Sequence, residues 1–220
     1  CAFMNIYNPK TVFSSIDRHG RYAFCNQSKI AHWNLAVFAS TLLPFISDNQ
    51  NDAIQLTQDV LNMYPALYTK KWYKMMFNKL GIQQPLDEDN YLVDTLLQLM
   101  EKNKADYTNT FAALTLNIVS DNSLFKSNQF KKWHTQWKER TNQKNVQPLV
   151  FKSMGNYNPL FIPRNHLVEI AIENATLGNK SEFNKLLNSL SMAYDHKQNN
   201  NSLKSSPKGF DEHYKTYCGT

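Results

Sequence analysis

A chain of 220 residues, 42% of them hydrophobic, can bury one sizeable core or two small ones and is too apolar to be a disordered tail. Its 24 basic and 18 acidic residues leave a formal charge of +6, a mild excess that favours phosphates or acidic partners. No apolar run approaches a membrane span, no basic-then-apolar leader opens the chain, and the three cysteines, Cys1, Cys25 and Cys218, are too scattered for a disulfide framework or paired zinc knuckles. The expectation is a cytoplasmic protein with no membrane partner. The opening Cys1-Ala2-Phe3-Met4 lacks an initiator methionine and reads as the later part of a longer protein.

The stretch from Asn8 to Tyr22 carries turn signals at Asn8-Pro9 and His19-Gly20, serines at 14 and 15, and no helical period. It is expected to be an ordered loop. Ile30, Trp33, Val37, Phe38 and Leu42 then recur at three- and four-residue spacing, which predicts an amphipathic core helix with that stripe inward. A second helix, capped by Asn51 or Asp52, should bury Ala53, Leu56, Val60 and Met63. A third runs from Pro65 through Tyr68, Trp72 and Met75 to Leu80, where Gly81 ends it.

Asp87-Glu88-Asp89 invites a carboxylate-cluster reading, yet it stands just before the apolar residues Leu92, Val93, Leu96, Leu97, Leu99 and Met100, so helix capping is favoured. Tyr107, Phe111, Leu114 and Ile118 define a further core helix. Between Phe130 and Arg140 aromatic and basic residues interleave, a pattern that could suit nucleic acid. However, Phe130, Trp133 and Trp137 share one helical face and the lysines the other, as in an ordinary surface helix. Nucleic acid is therefore an unfavoured partner.

From Val146 to Pro163 the prolines at 148, 159 and 163 and Gly155 predict a connecting loop. Asn165 should cap a helix with Leu167, Ile170 and Ala171 inward, ended by Gly178. Asn179 with Glu182 should form a capping box for the helix of Phe183, Leu186, Leu187 and Leu190. The tail from Asp195 to Pro207 is expected to be mobile at its centre, with the aromatics near Tyr214 docking back on the body. The fold expected is mainly α, about eight helices by periodicity. It divides into a loop segment over residues 1–28, a helical body over 29–194 and a tail over 195–220.

For chemistry, the six histidines stand apart and no Cys-x-x-Cys, nucleophile elbow or glycine-rich phosphate loop occurs. Asp17, Arg18, His19 and Arg21 are the densest reactive grouping. Either Arg18 or Arg21 pairs with phosphate or a protein acid, or the group is salt-bridged and fixes only its own loop. Both readings stand at this point.

The run Asn8-Pro9 to Phe13-Ser14-Ser15-Ile16-Asp17-x-x-Gly20-Arg21-Tyr22, followed by Asn26-Gln27 and Ile30-Ala31-x-Trp33-Asn34-Leu35, resembles the selenoprotein O family. So do Ala105-Asp106-Tyr107-Thr108-x-Thr110-Phe111, Asn158-Pro159, Pro163-Arg164-Asn165-His166 with Glu169, and the terminal Cys218-Gly219-Thr220. The resemblance runs from end to end. It implies a protein-kinase-like fold that transfers AMP from ATP to protein hydroxyls, with this chain matching only the carboxy-terminal lobe and a family-specific helical extension. ATP and magnesium would then be used by a full-length member, with none expected for this stretch alone, because the nucleotide lobe and the catalytic and metal-binding residues precede the segment matching Cys1. The partners implied are that amino-terminal lobe and protein substrates. The opening loop would be the activation-segment region. Cys218 matches the family's terminal cysteine or selenocysteine, which in some members pairs with a loop cysteine; here the loop has Phe13, Ser14 and Ser15 instead, and Cys25 stands just beyond it. The resemblance thus implies a Cys218–Cys25 disulfide with redox control as one reading; in the other, Cys25 is a small buried packing residue and Cys218 an exposed thiol. The other class of function is a free-standing, non-catalytic helical interaction module.

Overall fold

The computed structural model describes residues 2–141, 147–197 and 203–216. Its α-helices are α1 (Gln27–Ile46), α2 (Gln50–Asn62), α3 (Tyr64–Leu80), α4 (Asn90–Lys102), α5 (Tyr107–Thr115), α6 (Ser123–Lys126), α7 (Asn128–Thr141), α8 (Gln147–Gly155), α9 (Asn165–Thr176), α10 (Ser181–Leu190) and α11 (Phe210–His213). Short 3-10 turns at Phe24–Asn26 and Asp87–Asp89 lead into α1 and α4. Among the described residues there is no strand, only an isolated antiparallel bridge between Ile6 and Asp106. The mainly α expectation holds.

The core is assembled around α7. Phe130, Trp133 and Trp137 lie three and four residues apart, so they share one face, and all three are buried. Burying an indole requires a partner for its N–H. Trp133 Nε1 donates to the Leu92 carbonyl at 2.8 Å and Trp137 Nε1 to the Leu80 carbonyl at 2.8 Å. These bonds tie α7 to the start of α4 and the end of α3, with Leu92, Leu96, Met100, Met76 and Leu80 filling the space between. With those rings enclosed, base stacking by this helix is not available.

The acidic run before α4 acts as a helix start, and one member does more. Asp89 accepts from the Leu86 N–H at 2.7 Å and holds Arg140 of α7 in a two-pronged ion pair at 2.7 and 2.8 Å. Gly81 ends α3 at φ +71°, as expected. A Cβ there would stand 2.5 Å from Val150 Cγ1 and 3.0 Å from Met154 Cγ, so α8 packs where only glycine leaves room.

That contact corrects the loop expected between Val146 and Pro163. Residues Gln147–Gly155 are helical because Pro148 falls in the first turn, where a missing N–H is harmless, and Val150 and Met154 bury one face four residues apart. Val146 itself lies outside the described residues. The helix α8 and the four-residue α6 and α11 account for the excess over about eight.

The larger correction concerns the amino-terminal helices. α1 and α2 form where expected, but Trp33, Val37, Phe38 and Leu42, and likewise Leu56, Val60 and Met63, are exposed, and only Ala53 of α2 is buried. Tyr68 and Met75 of α3 are exposed as well, while Met76, Phe77 and Leu80 carry its burial. Periodicity marks an apolar face and says nothing of whether this chain supplies its cover. Similarly Ile170, Phe183 and Leu187 are exposed, and Ile118 lies beyond the end of α5 and is exposed.

Cap assignments shift in a consistent way. Asn49, not Asn51 or Asp52, caps α2, accepting from both of their N–H groups. Asn165 is the first residue of α9, and its amide instead bonds the Phe3 backbone. Asn179 accepts from Ser181 N–H at 3.0 Å without forming the capping box, since Glu182 pairs with Lys185. The expected mobile centre of the tail, residues 198–202, lies outside the described residues; Leu203 beyond it is buried with Ala112, Leu160, Phe161 and Ala193 in a second small core.

Replacing Gly81 by Ala should destabilise the fold by about 2 kcal/mol or more, from the left-handed backbone and the clash with Val150 together. Denaturant unfolding followed by tryptophan fluorescence measures it, since Trp137 bonds the carbonyl of the neighbouring Leu80.

Candidate functional site

The loop expected between Asn8 and Tyr22 is ordered, and its shape follows from its own polar groups. Asn8 Oδ1 accepts from Lys10 N–H at 2.8 Å and the Asn8 carbonyl from Thr11 N–H at 3.0 Å, which closes the Asn-Pro turn. Asp17 accepts from the N–H groups of Arg21 and Tyr22, both at 2.8 Å, and Gly20 takes φ +64° to allow it. The loop is then pinned to the start of α1 by Asn26 Nδ2 on the Gly20 carbonyl at 2.8 Å and Gln27 Nε2 on the Tyr22 carbonyl at 2.6 Å. Asp17 is thus a turn former, and the salt-bridged version of the loop does not arise among the described residues.

The two arginines diverge. Arg21 lays its guanidinium over the Trp33 ring, 4.7 Å from the centroid, which fastens the loop to α1. Arg18 is exposed, makes no ion pair among the described residues, and lines an open cleft of about 1070 Å³. Cys25 is exposed on the short turn before α1, with its N–H on the Pro9 carbonyl at 2.8 Å. Cys218, and with it the expected disulfide, lies outside the described residues.

The cleft is bounded by the amino-terminal segment, the loop from Thr11 to Arg18 and the tail from Asp211 to Thr216. Ser15 donates its N–H at 2.8 Å and its hydroxyl at 2.7 Å to the Thr216 carbonyl, and the Thr216 hydroxyl donates to the Phe13 carbonyl. Tyr214, as the sequence suggested, docks on the body: its hydroxyl donates to Glu169 at 2.8 Å, and burial together with that carboxylate pushes the phenol up to about 12. Ser14 Oγ, buried in the cleft wall, has no hydrogen-bond partner among the described residues.

Behind the cleft sits a buried polar knot. Arg164, fully enclosed, donates to Asp106 Oδ2 and to Asn5 Oδ1, both at 2.7 Å, and to the Lys204 carbonyl at 2.8 Å. Asp106 also caps α5 by accepting from Asn109 N–H at 2.8 Å. Burial raises the Asp106 carboxyl above its usual range, against the opposing pull of the Arg164 guanidinium. Asn5 reaches on to Asp211 at 2.7 Å and Ser206 at 3.3 Å, and Ser206 meets His166 Nδ1 at 3.2 Å. Amino-terminal segment, α5, α9 and tail therefore meet on one guanidinium.

Sequence reasoning did not single out Asp106, Asn5 or Lys79 for a role. Lys79 is enclosed with no carboxylate against it among the described residues; its ammonium donates to the Tyr157 carbonyl at 3.0 Å and lies over the Phe111 and Tyr107 rings, and burial pulls it down to about 8. A lysine within a helix gives no local sign of that. Among the described residues no group of three or more His, Cys, Asp or Glu stands where it could hold a metal ion. No helix among the described residues is long and apolar enough to cross a membrane.

Asp17 at the cleft and Asp106, Arg164, Asn165, His166 and Glu169 around the knot and tail come from separate stretches of the sequence and are brought together by the fold. The model of the protein adenylyltransferase SelO family matches residues 1–191, and the chain belongs to that family. Among curated relatives, the protein nucleotidyltransferase YdiU of Clostridium beijerinckii is 46% identical over all of this chain and 45% of its own length. Those of Alkaliphilus metalliredigens and Clostridium botulinum strain Hall are 45% and 46% identical with the same coverage. The chain thus spans a little under half the length of these relatives.

Arg164→Met should cost about 3–5 kcal/mol, because it strands the Asp106 carboxylate without its partner; thermal unfolding reads it. For Lys79 the unfolded chain binds the proton more readily than the folded one, so stability rises with pH. Between roughly pH 8 and 9 the expected gain is about 1 kcal/mol, before the tyrosines, with ordinary values near 10, ionise appreciably in the unfolded chain. Denaturant midpoints measured across that interval should show the slope, and Lys79→Met should remove it.

Proposed function

We propose that this chain is the carboxy-terminal portion of a SelO-type protein adenylyltransferase, in which AMP passes from ATP to hydroxyls of protein substrates. In this reading the fold is the carboxy-terminal lobe of a protein-kinase-like enzyme with a helical extension. The loop from Asn8 to Tyr22 is the activation-segment region, shaping access for protein substrates. ATP and magnesium are held by the residues of the amino-terminal lobe, and this chain alone is inactive. The observation that carries the reading is end-to-end identity of about half with YdiU proteins more than twice as long.

The cleft is consistent with that role. Its loop wall is held by backbone N–H groups bonded to the Asp17 carboxylate, while Arg18 makes no ion pair among the described residues and is available to an acidic group on a protein substrate or to phosphate. Arg21 serves as the anchor that fixes the loop on Trp33. Cys25 and Cys218 are retained as a redox pair in the same reading, since the tail bonds Phe13 and Ser15 through Thr216, close in sequence to Cys218. A non-catalytic helical interaction module is the second reading, favoured by the exposed apolar side chains of α1 and α2.

The test uses labelled ATP and protein acceptors. The 220-residue chain should incorporate no AMP, and a chimera joining it to the remaining residues of the Clostridium beijerinckii relative should. Transfer by the chain alone overturns the division of labour, and an inactive, folded chimera favours the interaction module. In the active chimera, Arg18→Ala should lower kcat/KM for protein acceptors by about tenfold, the worth of one charge-assisted hydrogen bond, with the melting temperature unchanged.

A further inference from the structure

The helix α1 is built for more company than it has. Over its 20 residues it carries no acidic residue and a single lysine, Lys29, near its start. From Leu35 to Ile46 the polar side chains are Ser40 and Thr41, and both spend their hydroxyls on their own helix: Ser40 Oγ donates to the Val37 carbonyl at 2.6 Å and Thr41 Oγ1 to the Phe38 carbonyl at 2.7 Å. No polar side chain along that length is left to face water. A helix apolar all round is the pattern of one surrounded by other elements.

This chain covers only part of it. α2 and α3 pack on one side, where His32 meets the Leu61 carbonyl at 3.0 Å and stacks on Tyr64. On the open side Leu35, Phe38, Leu42 and Phe45 form a continuous stripe at spacings of three, four and three, with Phe38 60% and Phe45 86% exposed. On α2, Leu56, Val60 and Met63 are exposed too. Patches of this kind mark contact surfaces.

We infer that this face is the docking surface for the part of a SelO-family polypeptide that the relatives carry beyond the matched stretch, with α1 as the central helix of the joint core. The inference rests on the reading of the chain as a carboxy-terminal portion. Length and shape together point to that occupant: the relatives carry more than half of their residues outside the match, and α1 requires cover on more than one side. A membrane is a poorer occupant, since an interfacial helix needs a basic polar face and α1 has one lysine. A second copy is the remaining competitor, and the experiment separates it.

The chain is co-expressed with a tagged polypeptide comprising the remaining residues of the Clostridium beijerinckii relative. A one-to-one complex is expected by light scattering after size exclusion. The paired substitution Phe38→Asp and Phe45→Asp should weaken it by ~100-fold or more, as central apolar anchors do. Val60→Asp should weaken it as well, and Phe183→Asp on α10 should not. Both sets are exposed, so the circular dichroism and melting of the chain alone should stay as they are, and Val60→Asp carries the test if the α1 pair disturbs folding. A complex indifferent to these changes overturns the inference, and so does a homodimer of the chain that the same changes dissolve. Transfer is read separately in the fused chimera. A complex without transfer keeps the docking face and removes the enzymatic reading; undiminished transfer in a fused Phe38→Asp, Phe45→Asp chimera does the reverse.

Discussion

The ion pair between Arg164 and Asp106 is the constraint on which the cleft end of the molecule depends. A guanidinium cut off from water is tolerable only when its donors are matched, and here they are shared among a carboxylate, an amide oxygen and backbone carbonyls of three other segments. Because Asp106 also caps α5, the same carboxylate sets where that helix starts. Asn5 transmits the arrangement outward to Asp211 and Ser206, which hold the tail in place against the cleft. The tail in turn bonds the loop through Thr216. Cleft geometry therefore joins a loop shaped by its own turns to a tail whose place is set by a buried charge.

The hydrophobic half of the molecule is arranged differently. Around Trp133 and Trp137 the packing is complete, with each indole N–H satisfied by a backbone carbonyl and the neighbouring Asp89–Arg140 pair closing the edge. At α1 and α2 it is open. The two regions are joined by α3, whose second half is in the closed core and whose first half lies on the open side. Because that one helix spans both, the closed core gives α1 a fixed position while leaving its outer stripe bare.

Helices with a strong periodic signal were legible in the sequence, as α4 and α7 show, and so were the Gly81 stop and the acidic start of α4. What could not be read was whether an apolar stripe meets a partner within the same chain: Phe38 and Phe130 look alike as letters, and one is exposed and the other enclosed. Pro148 misled because proline forbids only the helix interior, and the turn in which it falls depends on where α8 begins. In the loop, turn chemistry at Asn8-Pro9 and Gly20 was visible, but the service of Asp17 to two backbone N–H groups, and so the release of Arg18, depends on three-dimensional closure. The knot partners are 58 and 159 residues apart in sequence, beyond any local pattern.

The bond between Ser15 and Thr216 joins positions 201 residues apart. A ribosome delivers the loop long before it delivers its anchor. Residues 13–15 are thus held in their final place only after the helices between have been made and the tail has threaded back past α9 and the knot, and contacts of such long range form late and slowly. Assembly of the cleft wall in this way waits on residue 216, and a nascent chain that stalls before residue 203 would carry the core around α7 with that wall still unbuilt.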